Sequence, residues 1–544
     1  MRFQPCEFKG VYFMNCYQDL VEAAKKYDYK FGLEYFNSKT KIKDFIKDVD
    51  KIAIYLKNND VKKNSVYTIN LPNTPQAFAF FYALNKLGAI ANIVHPLTPI
   101  NTLKKSVEQT NSKGVIVLDI LANEHVEDLK TINTQFIVAK NSDYVKGLKN
   151  LCFKTYEFFK TKNLKNLKNA IFYKDAIKQV KENQLCPITK NDVAVYIHSG
   201  GTSGETKTIV LSNSSIVHLS NEVAKFNQRN GPEYSPIVLP IFHAYGLSIG
   251  VHTLLKLGYT GVIFPKFDAK KVNKTLKKYK VTTLISVPLM ILKMMREKHF
   301  YGPHLKHLSR VYCGGDVVGT QLQTDFNTAL EKYGSKGKLL AGYGLTETCS
   351  VVTVNTLDNY RFGSCGKPLS NTKIEIWDED EEVLPANKVG EIVITGKTIM
   401  NGYLHTEDDG ITTKNGIDYV KTGDLGFIDE DGFIYVSGRK KRLIKIAAYN
   451  IFPSEIEDTI LKLPYIEEVC AFEKKVDGKN YIKVIMTLRK TATLIDKEII
   501  LKEVKEHCKT HLIKYALPCE YEIISDLPHT NMSKIDVVKI ANVY

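Results

Sequence analysis

Through its first four fifths this chain alternates short strand-like runs with helix-like ones, and no other feature narrows the fold as much. SVYTINL (65–71) precedes the helical PQAFAFFYALNKLG (75–88), GVIVLD (114–119) precedes LANEHVEDLK, and VTTLISVP (281–288) precedes LMILKMMREK. Strands separated by helices predict parallel sheets with helices on their faces, an α/β architecture. The stretch TKIEIWDEDEEVLPANKVGEIVITG (372–396) differs, reading as strands joined by acidic turns and suited to a small antiparallel barrel. From 438 onward PSEIEDTILKLP, EVCAFEKK, YIKVIMTLRK and IDKEIILKEVKEHCKTHL read as helix, two strands and helix. That is a separate α+β unit of about a hundred residues. At 544 residues the chain exceeds what one core can hold.

The stretch VAVYIHSGGTSGETKTIVLS (193–212) breaks a buried-type strand with glycines and hydroxyl residues and ends on Lys207. Such loops hold phosphate groups: glycines let backbone N–H groups close on an anion, hydroxyls add donors, and a lysine adds charge. It is not an ordinary P-loop. Thr206 stands where the Walker spacing needs glycine, and TIVLS after Lys207 reads as a strand rather than a helix. Turns use the same residue types, so this loop alone does not decide between a phosphate site and a turn.

Further blocks follow in order: PIFHAYG (240–246), AGYGLTET (341–348), GEIVITGKTIMNGYL (390–404), YVKTGDLG (419–426), GRKKRLIKIAAYNIFPSEIE (438–457) and LPHTNMSKID (527–536). Together with the glycine loop they resemble the adenylate-forming superfamily of acyl-CoA synthetases, luciferases and peptide-synthetase adenylation domains, through most of the chain. The resemblance implies a large N-terminal AMP-binding domain of parallel sheets plus a small barrel, and a small mobile α+β domain. The string GRKKR matches the family hinge and sets the expected boundary between residues 1–437 and 438–544.

It also implies roles. Ser199, Gly200, Gly201, Thr202, Ser203, Gly204 and Lys207 would hold phosphates. Glu347 would bind Mg²⁺, which suits one carboxylate with phosphate oxygens and waters. Within Gly342, Tyr343, Gly344 and Thr346, the threonine would meet phosphate and the tyrosine would stack on adenine. Asp424 would accept from both ribose hydroxyls, and Arg439 would meet ribose or phosphates. Gly315 and Asp316, in CGGDVV, resemble the lining of the adenine and acyl pockets, although Asp316 reads equally as a turn residue. His243, with Tyr245 and Gly246, would shape acyl binding; no general base is needed, since a carboxylate is already ionised. Lys534, after Pro528 and Thr530, would bridge the carboxylate and the α-phosphate, neutralising the two anions that must meet.

The chain departs from the family at four places. Ser533 replaces a glycine before Lys534, Arg442 stands where an acid is frequent, and Thr206 has been noted. Ala448 replaces a glycine lining the CoA channel, one methyl in a narrow tunnel. Lys441 is the hinge residue about which the small domain would swing.

The resemblance therefore implies an acid–thiol ligase using ATP, Mg²⁺ and CoA on a fatty or aryl acid. Transfer to an acyl carrier protein supplied in trans remains open. A binding protein without catalysis fits poorly with intact Lys207, Glu347, Asp424, Arg439 and Lys534. The formal charge of +16 comes from a chain in which 67 of 75 basic residues are lysine, a bias of composition rather than a nucleic-acid footprint. Lysines cluster in 160–181 and 266–280, expected as solvated helix faces open to an acidic partner such as anionic lipid or the CoA phosphates. No apolar run reaches the length of about 18 residues that would span a bilayer. The N-terminus lacks the pattern of a signal peptide, and the ten cysteines form no CxxC pair. A cytoplasmic protein is expected.

Overall fold

A computed structural model describes residues 14–181, 184, 186–198, 207–227, 231–446, 449–476, 479–489, 492, 496–529 and 535–544. The expected alternation folds as a seven-stranded sheet in the order Ala170–Phe172, Gln135–Ala139, Ser112–Leu118, Val66–Asn70, Ile90–Ile93, Val193–His198 and Thr208–Ser212. Its first six strands run parallel; Thr208–Ser212 returns antiparallel to Val193–His198. Only residues 199–207 separate these two strands in the chain, whereas a parallel neighbour would require a long crossover. The helix Pro75–Leu87 covers this sheet. Thr74 caps it by accepting from Ala77 N–H, Pro75 opens it, and Gly88 at φ 65° closes it. All thirteen of its residues are buried, which is why PQAFAFFYALNKL carries apolar residues on every face.

Two further sheets complete the larger body. Tyr234–Ile237, Thr260–Ile263, Gly32–Tyr35 and Ser38–Lys41 form one; Thr283–Ser286, Arg310–Cys313, Lys338–Leu345, Ser350–Val354 and Lys367–Pro368 form the other. The region expected as a small barrel is an antiparallel sheet of Thr372–Trp377, Gly390–Gly396, Ile417–Ile428 and Thr412–Lys414, with Ile434–Arg439 paired to Ile417–Ile428. One helix departs from ordinary winding. Tyr245–Thr253 is a π-helix, and Thr253 Oγ1 donates to Ser248 O, five residues back, at 2.7 Å.

The C-terminal segment has an apolar core of its own, with Ile444, Ile456, Ile460, Val484, Met486 and Val504 at its centre. Strands Ile466–Val476 and Lys479–Leu488 pair antiparallel, Glu520–Ile524 adds in parallel, and helices Pro453–Leu461 and Lys497–His511 pack with them.

The lysine-rich stretches divide. Ala269–Tyr279 is a helix whose lysines face solvent, as expected. Residues 160–181 are not a solvated helix face. They form a helix end, a 3₁₀ turn Lys162–Asn166, the edge strand Ala170–Phe172 and a short helix Tyr173–Lys178. The repeated Asn in KNLKNLKN competes with regular helix through local side-chain bonds.

Candidate functional site

The site gathers where the strand Val193–His198 ends. The phosphate-loop residues Ser199, Gly200, Gly201, Thr202, Ser203, Gly204 and Thr206 lie outside the described residues, as do Ala448, Thr530, Ser533 and Lys534. The flanks of the loop are defined. His198 sits between Asn92 Oδ1 at 2.7 Å and Thr208 Oγ1 at 3.1 Å. Burial lowers its pKa to about 4, so it is a neutral tie between three strands rather than a cation for phosphate.

On the other flank, Lys207 Nζ lies 4.1 Å from the centre of the Tyr403 ring and 3.7 Å from Asp408 Oδ2. Tyr403 in turn donates its hydroxyl to Glu347 Oε1 at 3.1 Å. Backbone pairing makes this meeting: Leu404 N–H donates to Thr208 O at 2.8 Å and Val210 N–H to Gly402 O at 3.0 Å, so residues 401–404 run as an extra edge beside Thr208–Ser212. Glu347 projects from the 3₁₀ turn Thr346–Thr348 and its carbonyl accepts from Met400 N–H at 2.8 Å. Burial and then the Glu347 charge raise the Tyr403 phenol, keeping it a donor. Lys207, Tyr403 and Glu347 therefore form one string from a cation to a half-buried carboxylate.

A second cluster centres on Asp424, which is only 4% exposed. Tyr343 Oη donates to its Oδ2 at 2.7 Å and Arg439 Nε lies 2.7 Å from its Oδ1. Strand register puts Arg439 directly opposite Asp424. Thr422 Oγ1 accepts from Asp424 N–H at 3.0 Å and donates to Ile392 O at 2.7 Å, fixing the turn. One carboxylate oxygen is thus directed at Tyr343 and the other at Arg439. Burial and the Asp424 charge hold the Tyr343 phenol protonated.

The block 240–246, expected on the acyl side, is clamped by Asn73, which no motif in the sequence marks. Its Nδ2 donates to Leu239 O at 2.9 Å and its Oδ1 accepts from Ile241 N–H at 2.8 Å. His243 Nδ1 accepts from Tyr245 N–H at 3.2 Å, fixing the ring's orientation. Gly246 packs so closely that an added Cβ would sit 1.9 Å from Pro240 O. Gly315 takes φ 80°, and a Cβ there would lie 3.4 Å from Val287 Cγ1 and 3.8 Å from Tyr245 Cδ1. Gly342 and Gly315 belong to the same wall, since a Cβ on neighbouring Gly314 would meet Gly342 O at 2.9 Å. Asp316 is exposed and its Oδ1 accepts from Val317 N–H at 2.9 Å, the geometry of a turn residue.

The string GRKKR (438–442), expected as a hinge, is anchored on both sides. Lys440 Nζ donates to Glu391 Oε2 at 2.9 Å, and Glu391 Oε1 accepts from Gly423 N–H at 3.1 Å. Arg442 Nη2 donates to Glu457 Oε1 at 2.6 Å and to Ala471 O at 3.1 Å. Burial works against the Arg442 charge; Glu457 and, less strongly, Asp316 more than offset it. Exposed Lys441 lies between these anchors. The basic Arg442, at a position where the family often has an acid, thus has a glutamate to meet.

Tyr403, Asn73, Glu391 and Glu457 went unassigned in the sequence. Glu391 carried a signal: an acid inside the apolar run EIVITG, only 7% exposed, requires a partner. Among the described residues, one further group of side chains has ligating atoms close enough to share an ion, Glu468, Asp526 and His529. It lies in the C-terminal segment and includes none of the residues that surround Glu347 or Asp424.

Comparison with known proteins identifies the family. Residues 22–404 match the family described as AMP-binding enzyme, and residues 455–534 match the AMP-binding enzyme C-terminal domain. The long-chain-fatty-acid–CoA ligase of Bacillus subtilis (strain 168) is 27% identical over 95% of this chain and 92% of its own length. The probable 4-coumarate–CoA ligase 3 of Dictyostelium discoideum is also 27% identical, over 84% of this chain and 82% of its own. Among solved structures, an anthranilate CoA ligase in complex with anthranoyl-AMP superposes with a TM-score of 0.84, 18% identity and 97% coverage of both chains. The o-succinylbenzoate CoA synthetase of Bacillus subtilis, with its acyl-adenylate intermediate, gives 0.77 at 20% identity, covering 97% of this chain and 98% of its own.

Proposed function

The chain belongs to the AMP-binding enzyme family, and we propose that it activates an apolar carboxylic acid, fatty or aryl, as its AMP ester and passes the acyl group to CoA. In the first step a carboxylate oxygen attacks the α-phosphorus of ATP, the α–β phosphoanhydride bond breaks, and pyrophosphate leaves. In the second the CoA sulfur attacks the acyl carbon, its proton is lost, and AMP leaves. Both steps place negative charge near a single phosphorus, so positioned cations and donors supply most of the catalysis.

The observation that carries this reading is the string from Lys207 through Tyr403 to Glu347, beside the strand Thr208–Ser212. We assign Lys207 to the phosphates. The Glu347 carboxylate, with one oxygen directed at Tyr403, fits a hard oxygen-seeking ion such as Mg²⁺. That ion, when bound, supplies charge neutralisation on the phosphates. Asp424 would receive the ribose diol, with Arg439 and Tyr343 holding its rotamer. His243, Tyr245 and the Gly315 wall would shape the acyl pocket, and the apolar side chain of Val287 beside Gly315 favours an apolar acid. Asp316 is assigned to the turn. Lys534 would approach the carboxylate in the first step and withdraw as residues 438–544 swing about Lys441 against residues 1–437. Ala448 would then come to the CoA channel.

The named activity of the Bacillus subtilis relative supports a long-chain fatty acid first. The nine cysteines among the described residues are free thiols, in keeping with a cytoplasmic setting. A panel of acids of increasing chain length, with aryl acids alongside, assayed for pyrophosphate release with and without CoA, tests the reading. Release that requires an apolar acid, with a thioester formed on CoA addition, supports it. Release followed by loading of a phosphopantetheinylated carrier protein and never of CoA replaces the acceptor.

A further inference from the structure

We propose that the helix Leu148–Lys160, with the lysine-rich segment that follows it, docks the protein on an anionic lipid bilayer. The helix is built inside out. Its inward stripe is mostly polar: Asn150 Nδ2 donates to Ser142 O at 2.7 Å and Val145 O at 2.9 Å, and buried Glu157 accepts from Ser142 N–H at 2.9 Å and from Ser142 Oγ. Phe153, on the same stripe, packs its ring 4.9 Å from that of Phe36. At about 100° per residue, Leu148, Leu151, Tyr156, Phe158 and Phe159 all fall on the opposite side. They are 85%, 63%, 51%, 72% and 63% exposed. A helix that stabilised only its own fold would place these side chains inward.

Charge selects the occupant. Lys149, Lys154 and Lys160 flank the apolar face, and Lys146, Lys162, Lys165 and Lys168 surround it; all seven are exposed. Glu157, the one acid between residues 146 and 168, is buried. A second copy of this chain would bring lysines against lysines, whereas anionic headgroups complement them. Apolar side chains between flanking lysines make the pattern of a helix lying in a membrane interface, and thirteen residues are too few to span one. Lys162 Nζ already lies over the Phe159 ring, 5.7 Å from its centre, so charge and apolar face meet here.

Beside the helix, a cavity of about 360 Å³ has Thr161, Lys162, Lys165 and Lys168 in its wall along with apolar side chains such as Leu164 and Phe172. Its three lysines suit a phosphate-bearing headgroup. The neighbouring strand Gln135–Ala139 stands four places across the sheet from Val193–His198, roughly 20 Å at the usual strand spacing. Docking here is therefore remote from the strand Val193–His198.

Co-sedimentation of the full chain with vesicles tests the proposal. Mixed phosphatidylglycerol–phosphatidylcholine vesicles should bind at least about tenfold more tightly than phosphatidylcholine alone, and the preference should fade in high salt. Two variants confined to exposed side chains, Leu151→Ser/Phe158→Ser/Phe159→Ser and Lys154→Glu/Lys160→Glu/Lys165→Glu, should each weaken binding to the mixed vesicles by about tenfold or more. Their thermal unfolding midpoints should match the parent. Should the apolar variant fail to fold, the lysine variant decides alone. Equal binding to neutral and anionic vesicles, parent-like binding by the lysine variant, or a parent dimer in gel filtration that the apolar variant dissociates would each overturn the proposal.

Discussion

Tyr343→Phe separates two uses of one side chain. The ring and its stacking surface are retained, while the hydroxyl that donates to Asp424 Oδ2 at 2.7 Å is removed. Asp424 is nearly inaccessible, and its other oxygen is committed to Arg439. A hydrogen bond to a charged group contributes about 1.5–3 kcal/mol, equivalent to roughly 10- to 150-fold in an equilibrium constant. If Asp424 receives the ribose, loosening its rotamer should raise the ATP KM within that range, leave kcat within about threefold and leave the KM for the acid unchanged. The assay is initial-rate pyrophosphate release with ATP varied at saturating acid, alongside the same titration of Tyr343→Ala. If the hydroxyl matters, Phe and Ala both lose ATP affinity; if stacking alone matters, only Ala does. An unchanged ATP KM in Tyr343→Phe would refute the ribose assignment of Asp424 and Tyr343 as a unit.

Glu347→Gln should cut pyrophosphate release by about 100- to 1000-fold and raise the magnesium requirement, whereas Tyr403→Phe, which keeps the ring under Lys207, should cost about tenfold; a magnesium titration identical to the parent would remove Glu347 from the site. Glu391→Gln releases Lys440 on one side of the hinge and should change the ratio of thioester formation to adenylation by about three- to fivefold, as expected for a half-exposed ion pair; equal change in both steps, read in single turnovers, would contradict a hinge between the two anchors. Asp119 is fully buried, Oδ2 finds no partner among the described residues, and burial followed by the Glu157 charge pushes its pKa up to about 7. Because the folded pKa lies above the unfolded one, its stabilising contribution is complete below about pH 4 and is lost as pH rises through 7, on the order of 4 kcal/mol. Asp119→Asn should flatten the unfolding midpoint between pH 4 and 8, and an unchanged slope would contradict this.

Much of the architecture was legible because it rests on local pattern. VTTLISVP and LMILKMMREK become the strand Thr283–Ser286 and helix Pro288–Arg296, and PQAFAFFYALNKLG a core helix with its cap and closing glycine. The π-winding of Tyr245–Thr253 was not legible, since no period in the sequence encodes it, nor the close approach of Gly246 to the Pro240 carbonyl in its first turn. The lysines of 160–181 misled for a related reason: charge density reports exposure, not the secondary structure that carries it. Blocks that touch nucleotide in the family could be located by their residue types. Their supports could not, because Glu391 meets Lys440 and Asn73 meets Ile241 across 49 and 168 positions of chain. Tyr403 lay inside a quoted block, yet only the pairing of residues 401–404 with Thr208–Ser212 shows why it stands between Lys207 and Glu347.

The most direct test of the central claim is a single-turnover trap with ATP labelled at the α-phosphate, a long-chain fatty acid and excess enzyme. Without CoA, labelled acyl-AMP should accumulate on the protein with one pyrophosphate released per acyl-AMP. Adding CoA should convert that pool to thioester and free AMP in equal amounts. Formation of ADP, or of thioester with no acyl-AMP before CoA is added, would contradict the account.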